Sequence, residues 1–294
     1  PALRKHKGIS SDPQGVYSDL KGNLDAIQSI EFIDQNPIGK SSRSNPVTYV
    51  KAFDEIRDLF SRQKLAKHRG YKPGFFSFNV QGGRCEACEG EGTITVGMQF
   101  MADVHLECES CKGKRYKVET LDILYREHSI HDLLEMSLED ALIFFGAHPE
   151  RLETKILKKI QPLVDVGLGY LKLGQASSTM SGGEAQRIKL ASFLAKGSKL
   201  GETLFIFDEP TTGLHFFDIE KLILAFNALI EQGHSILVIE HNTEVLKCAD
   251  HIIDLGPEGG ENGGYVLFEG APEALLKEKS NETARFLRKA FKSD

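Results

Sequence analysis

No stretch of this sequence approaches the ~20 uninterrupted apolar residues that a membrane-spanning helix requires. Its purely apolar runs are short pieces such as Ile236–Ile239, so a membrane partner is not expected. The opening residues Pro1–Lys7 carry basic side chains with no apolar segment behind them, which argues against a secretion signal. They include neither methionine nor a helix-start signal, and the expectation is a chain cut from something larger. Cysteine is scarce: five in 294 residues cannot form the framework of a disulfide scaffold. Excess positive charge is lacking too, since the formal net charge is −6, which excludes nucleic-acid binding through bulk charge alone.

What is present has the balance of an ordinary globular protein, 40% hydrophobic and 27% charged. The length suggests two folded units. Charge is distributed unevenly. Between Ser61 and Lys117, ten Lys or Arg stand against six Asp or Glu, which puts that window at +4 and the remainder at −10. The basic segments Lys64–Lys72 and Lys112–Lys117 flank Tyr71, Phe75, Phe76 and Phe78, a mixture suited to a DNA backbone. A solvated face around a structural staple has the same composition, which does not separate the two.

Four of the cysteines form two pairs, Cys85 with Cys88 and Cys108 with Cys111, in the spacing C-x2-C-x19-C-x2-C; Cys248 stands apart. Gly90 and Gly113 follow the second cysteine of each pair at the same offset, as a tight turn after a knuckle requires. Without a secretion signal, a reducing compartment and a metal are expected in place of disulfides. Four thiolates close a tetrahedral zinc site and leave no position for water, so the expected role is structural. With the ion bound, the local charge falls to about +2.

Hydrophobic periodicity predicts a helix over Val50–Phe60, short strands over Thr93–Phe100 and Val104–Leu106, and helical spacing through Ile130–Phe145. From about Gln175 the pattern becomes α/β. Thr203–Phe207 reads as a strand, a helix follows to Gly233, and Ser235–Ile239 reads as a strand buried on both faces, together a parallel βαβ unit. His251–Leu255 is a further apolar run. Three stretches result: 1–48, 49–195 with a zinc module at 85–111, and 196–294.

Three features in this order carry chemistry. Ser181-Gly182-Gly183-Glu184 opens the helix Ala185–Ala195; it is a capping box, and also a helix N-terminus where phosphate binds well. The strand Leu204–Phe207 then delivers Asp208-Glu209, a carboxylate pair that can hold Mg²⁺ through Asp208 and polarise an attacking water through Glu209. The next strand ends at Glu240-His241-Asn242, placing His241 on the same rim, within reach of a γ-phosphate. Singly, each has a structural reading: a cap, an acidic turn, a core histidine.

Together they resemble ABC-type ATPases. Ser181–Arg187 is similar to the signature motif, Leu204–Glu209 to the Walker B segment, His241 to the switch histidine and Asp34-Gln35 to the Q-loop. Asp208–His215, Arg43–Tyr49, Phe76–Cys85 and Ile253–Gly260 are more particular, and with the zinc knuckles they resemble the UvrA family, damage-recognising subunits of the bacterial UvrABC excinuclease. The resemblance covers essentially the whole chain. It implies a P-loop NTPase fold of ABC type, here a partial ATP-binding core with an inserted helical signature domain carrying a zinc-stapled hairpin. It implies ATP with Mg²⁺ as well as zinc, and damaged double-stranded DNA, UvrB, a second UvrA copy and a missing N-terminal half as partners, in the cytoplasm. Ser181–Glu184 would serve the nucleotide of the other half; Gln35, Asp208, Glu209 and His241 would serve the second site.

A P-loop, G-x4-G-K-[ST], is absent. Gly39-Lys40-Ser41 imitates its end, but Asp34 stands where the first glycine belongs and Asn45-Pro46 follows too soon for a helix. In the family the P-loop lies just upstream of the segment resembling Pro1–Leu3, so this chain alone is expected to be inactive. An ABC transporter ATPase is disfavoured by the zinc hairpin. A non-enzymatic zinc-stapled DNA- or protein-binding module is the remaining alternative.

Overall fold

The computed structural model describes residues 1–9, 13–39, 43–97, 104–196, 201–260 and 263–291. Seven strands lie among them: β1 (Ser29–Ile33), β2 (Thr93–Val96), β3 (Val104–Glu107), β4 (Thr203–Asp208), β5 (Ser235–Ile239), β6 (Ile252–Gly256) and β7 (Tyr265–Gly270). The chain divides into two compact units, Pro1–Asp34 with Leu200–Asp294, and Gln35–Lys199. Residues 35–48 cluster with the second unit, although the sequence groups them with the first stretch.

In the first unit β1, β4 and β5 form a parallel sheet in the order β1-β4-β5. Alternation along β4 turns Phe205 and Phe207 into the core, where Phe207 meets Phe226 of the helix Phe216–Glu231 with ring centroids 4.7 Å apart. The βαβ reading is borne out. The expectation that Ser235–Ile239 is buried on both faces is not: β5 ends the order of this sheet, and its residues alternate between exposed and half-buried. An apolar run at a sheet edge has the same composition as one at its centre. β6 and β7 pair antiparallel, and Ile252 packs with Leu275, Ala284 and Leu287 in a small separate core.

The second unit is helical around one aromatic and aliphatic core. The expected helix Val50–Phe60 is present as Phe53–Ser61 and starts three residues late, because Lys51 adopts φ 59°, a left-handed conformation that separates it from a short preceding helix, Pro46–Tyr49. Ile130–Phe145 divides into Ile130–Glu135 and Leu138–Gly146, each started by its own serine cap, Ser129 and Ser137. Phe53 stacks on Phe78 at 4.9 Å, and the buried Tyr116 hydroxyl donates to the Phe76 carbonyl at 2.9 Å. Phe76 and Phe78 are therefore core residues, which withdraws them from the DNA-facing surface expected of the Gly70–Gly83 region. Tyr71 and Phe75, stacked at 3.8 Å, stay half-buried at its border.

Candidate metal centre and nucleotide half-sites

In the second unit the chain approaches the metal centre through two similar turns. At the first, Glu89 (φ 51°) and Gly90 (φ 84°) both lie in the left-handed region; at the second, Lys112 (φ 48°) and Gly113 (φ 73°) repeat the conformation. Each pair reverses the backbone immediately after a cysteine. Gly90 is required twice over, since a Cβ there would sit 2.2 Å from the Phe78 carbonyl oxygen. Between the turns β2 and β3 pair antiparallel from Thr93 opposite Glu107 to Val96 opposite Val104. Residues 98–100 of the longer expected strand lie outside the described residues. The hairpin brings the Cys108 N–H to the Gly92 carbonyl at 3.0 Å, joining the two knuckles.

The four Sγ atoms of Cys85, Cys88, Cys108 and Cys111 consequently lie within 4.8 Å of one another, all buried. Cys85 and Cys108 are 3.9 Å apart and Cys88 and Cys111 3.6 Å. A tetrahedron with Zn–S bonds of about 2.3 Å has edges of about 3.8 Å, so the cluster has the size of a zinc site. Burial opposes ionisation at Cys108, but N–H groups of Cys111 and Ser110 outweigh it and bring its pKa to about 7. Burial pushes Cys88 and Cys111 up. Four thiolates cannot share this volume without a cation to hold them. The cluster can hold a metal and is compatible with zinc.

Neighbouring charges tie the module down. Arg43 reaches Glu89 at 3.3 Å and Glu91 at 3.5 Å. Arg115, itself at φ 68°, donates to the Gly174 carbonyl at 3.2 Å and lies over the Phe78 ring at 5.5 Å. Arg69 pairs with Asp122, Arg84 with Glu89 and Lys117 with Glu86, so part of the positive charge counted in the sequence is neutralised locally.

The same unit contains the signature segment. Ser181 caps the helix Gly182–Leu194 in a full capping box: Glu184 N–H donates to Ser181 Oγ at 3.2 Å, and Ser181 N–H donates to Glu184 Oε2 at 2.7 Å. Tyr170 donates its hydroxyl to Glu184 Oε1 at 2.6 Å. Arg187 is buried and donates to the Val166 and Gly167 carbonyls at 3.4 Å each, anchoring the helix from below. A Cβ at Gly182 would lie 2.9 Å from Gln35 Cβ, so Gln35 packs directly on the signature glycine. Of the P-loop imitation, Lys40 and Ser41 lie outside the described residues.

The first unit holds the second group. β4 and β5 end in register, Asp208 opposite Ile239, and Glu209 N–H continues the ladder to the Ile239 carbonyl at 2.9 Å. Asp208 and Glu209 are exposed at this rim, with Glu209 at φ 43°. His241 Nε2 lies 4.0 Å from Glu209 Oε1, and Thr212 Oγ1 donates to Glu209 Oε2 at 3.4 Å. Thus Asp208, Glu209 and His241 share one rim of the first unit, while Gln35 and Ser181–Glu184 share one place in the second.

Sequence reasoning passed over Glu240. Its carboxylate accepts from Thr211 N at 2.9 Å and from the Thr211 hydroxyl with one oxygen, and from His241 N at 2.7 Å and Asn242 N at 2.9 Å with the other. Burial works against its charge, but the Thr211 hydroxyl and the three N–H groups prevail and hold its pKa below the usual carboxylate range. Only its place before a strand-end histidine hinted at a role.

Fold and site together define the class: a partial ATP-binding core of the ABC-type P-loop NTPases with an inserted helical signature domain and a four-cysteine hairpin. No protein-family model matches the chain. Among curated relatives, UvrABC system protein A of Aquifex aeolicus is 55% identical over 280 residues, 95% of this chain and 30% of that protein. The same protein of Staphylococcus epidermidis is 51% identical over 293 residues, 100% of this chain and again 30% of the relative. The crystal structure of UvrA2 from Deinococcus radiodurans superposes with a TM-score of 0.84 at 42% identity, over 92% of this chain and 32% of that one. The chain is UvrA-like along nearly its whole length, and it spans about 30% of the length of the curated relatives it matches.

Proposed function

We propose that this chain is the C-terminal portion of a UvrA-like ABC ATPase that recognises damaged duplex DNA in nucleotide excision repair, with ATP binding and hydrolysis controlling DNA binding and the loading of UvrB. The observation that carries the reading is the presence, in one compact unit, of a zinc-sized thiol cluster and a signature cap. No transporter reading accounts for that cluster, and no described helix is long and apolar enough to cross a membrane.

In this reading Cys85, Cys88, Cys108 and Cys111 hold one zinc ion, whose role is to close the hairpin and supply folding energy. Asp208 serves Mg²⁺, Glu209 orients and polarises the water that attacks the γ-phosphate, and His241 faces that phosphate. The Q-loop resemblance assigns Gln35 to nucleotide binding, and within its own unit it packs on Gly182 of the signature turn. Gly182 and Gly183 offer amides, and Ser181 its hydroxyl hydrogen, to the nucleotide of the other half of the ATPase, with Glu184 holding the Ser181 N–H and so the turn in place. Residues 1–48 and 196–294 form parts of one ATP-binding domain and 49–195 the signature domain. The partners are damaged double-stranded DNA, UvrB and a second UvrA copy, in the cytoplasm. The missing P-loop favours a second reading for the isolated chain, a zinc-stapled binding module without turnover.

The test uses the full-length polypeptide carrying this segment. Preferential binding to lesion-bearing duplex that weakens on zinc removal, with ATP turnover abolished by Glu209→Gln, is the expected result. Equal affinity for damaged and undamaged duplex would overturn the DNA-recognition reading.

A further inference from the structure

The last strand-end carboxylate of the rim is not aimed at solvent. Glu240 follows β5 as Glu209 follows β4, yet the two are used in opposite ways. Glu209 is exposed, whereas Glu240 is half-buried and fully engaged by donors from two separate segments. One oxygen grips Thr211, in the turn that follows Glu209. The other grips the N–H groups of His241 and Asn242, and Asn242 in turn caps the helix Thr243–Lys247 through Glu244 N at 2.9 Å. Thr211 and Glu240 are 29 positions apart in sequence, so the carboxylate is a clasp between two loops.

The clasp bears on the rim because of what lies on either side. Glu209 stands at φ 43°, a strained conformation for a side chain of its type, and is held by Ile239 through its N–H and by Thr212 through its carboxylate. Thr211 is the residue between that turn's proline and Thr212. On the other side, the backbone of His241 is fixed by the same carboxylate that fixes Thr211. We infer that Glu240 is a positioning residue, a carboxylate clasp that sets Glu209 and His241 relative to each other at the phosphate-facing rim. The inference rests on the ATPase reading of that rim.

A glutamine at this position keeps the shape and loses the clasp. Four donors converge on two acceptor oxygens, and an amide presents one acceptor oxygen and an NH₂ group that only donates. If its oxygen faces His241 and Asn242, its NH₂ confronts the Thr211 N–H and keeps only a bond to the Thr211 hydroxyl, turned to accept; if reversed, it confronts the two backbone amides. The clasp loses at least one of its backbone donors either way. Thr211→Val removes one of the four donors and leaves the backbone donor, a milder lesion on the same link.

The experiment measures steady-state ATP turnover and nucleotide affinity in the full-length polypeptide carrying this segment. Glu240→Gln is expected to lower kcat about tenfold or more with KM for MgATP within about twofold, since it disturbs orientation and leaves phosphate binding alone. Thr211→Val is expected to lower kcat about threefold, and the double variant to be no worse than Glu240→Gln, because both break one link. Glu240→Asp, which keeps both acceptor oxygens, is expected to recover part of the loss. Turnover of Glu240→Gln within twofold of the parent, while Glu209→Gln abolishes it, would overturn the clasp and leave the ATPase reading intact. So would kcat and nucleotide affinity falling together, the pattern of general damage. Turnover indifferent to Glu209→Gln would remove the reading of the rim and the clasp with it.

Discussion

The Tyr170 hydroxyl donates to Glu184 at 2.6 Å, and the other oxygen of the same carboxylate accepts the Ser181 N–H at 2.7 Å. The signature turn is thus held from two directions, by its own helix cap and by a phenol from the preceding loop. A glutamate at this position serves the turn with both its oxygens.

Tyr170 should therefore titrate abnormally. Burial, followed by the bond to Glu184, raises its pKa to about 12. The folded state favours the neutral phenol. Its contribution to stability is complete below the ordinary tyrosine value of ~10 and is lost as pH rises from there towards 12. Ultraviolet titration of the parent minus Tyr170→Phe should isolate one phenol near 12, and Glu184→Gln should move it down. Ser181→Ala should destabilise the unit by about 1 kcal/mol, as loss of a cap does. A phenol with the ordinary pKa would mean that the bond does not persist in solution.

Fresh protein should carry one zinc per chain, and Cys248, exposed and outside the cluster, should be dispensable for it. Replacing Cys108 by serine should release the metal and unfold the hairpin locally while the first unit stays folded, because the two units have separate cores. Gly90→Ala should act almost as severely without touching a ligand. Its added Cβ meets the Phe78 carbonyl at 2.2 Å in a left-handed turn, a combination worth at least about 2 kcal/mol. Elemental analysis with hydrogen exchange across 85–117 reads both outcomes. Full zinc retention in Cys108→Ser would count against the assigned ligand set.

Glu240 should leave a mark on acid stability. Its carboxylate is held below the usual range, so its contribution is present above the unfolded value of ~4.3 and is lost as pH falls below that through the folded value. Glu240→Gln should destabilise the first unit at pH 7 by about 1–2 kcal/mol, a charge-assisted clasp discounted for partial exposure. The variant should also lose less stability than the parent between about pH 5 and 3. Urea unfolding at both ends of that range measures the difference. Parallel losses in parent and variant would show that Glu240 has no depressed pKa.

The parts visible in the sequence were those fixed by local chemistry. The knuckles announce themselves because a thiol pair and its turn glycine must lie within a few residues. The cap at Ser181 and the strand ends at Asp208 and Ile239 are visible for the same reason. What was hidden depends on distant neighbours. Lys51 delays the start of the expected helix to Phe53 through a left-handed backbone that no composition rule assigns to lysine. Phe76 and Phe78 beside basic residues look like a binding surface until Phe53 and Phe60 are seen packed on them. Glu240 reads as one more rim acid, since its partner Thr211 lies a whole helix away.

Pro1–Asp294 by itself should hydrolyse ATP at or near background. Asp208, Glu209 and His241 are present at one rim, but in the proposed ATPase they would act only on a γ-phosphate already held in place. That holding comes mainly from P-loop amides and a lysine, and the sequence contains no G-x4-G-K-[ST]. The signature turn is a poor substitute. The Ser181 and Glu184 N–H groups already donate within the capping box, and the turn belongs to the other compact unit. Glu209→Gln should therefore leave the trace activity of the isolated chain unchanged, whereas in the full-length polypeptide it should abolish turnover and spare ATP binding. Robust turnover by highly purified Pro1–Asp294 that disappears in its own Glu209→Gln variant would refute this, and would mean that the phosphate is held by residues other than those named.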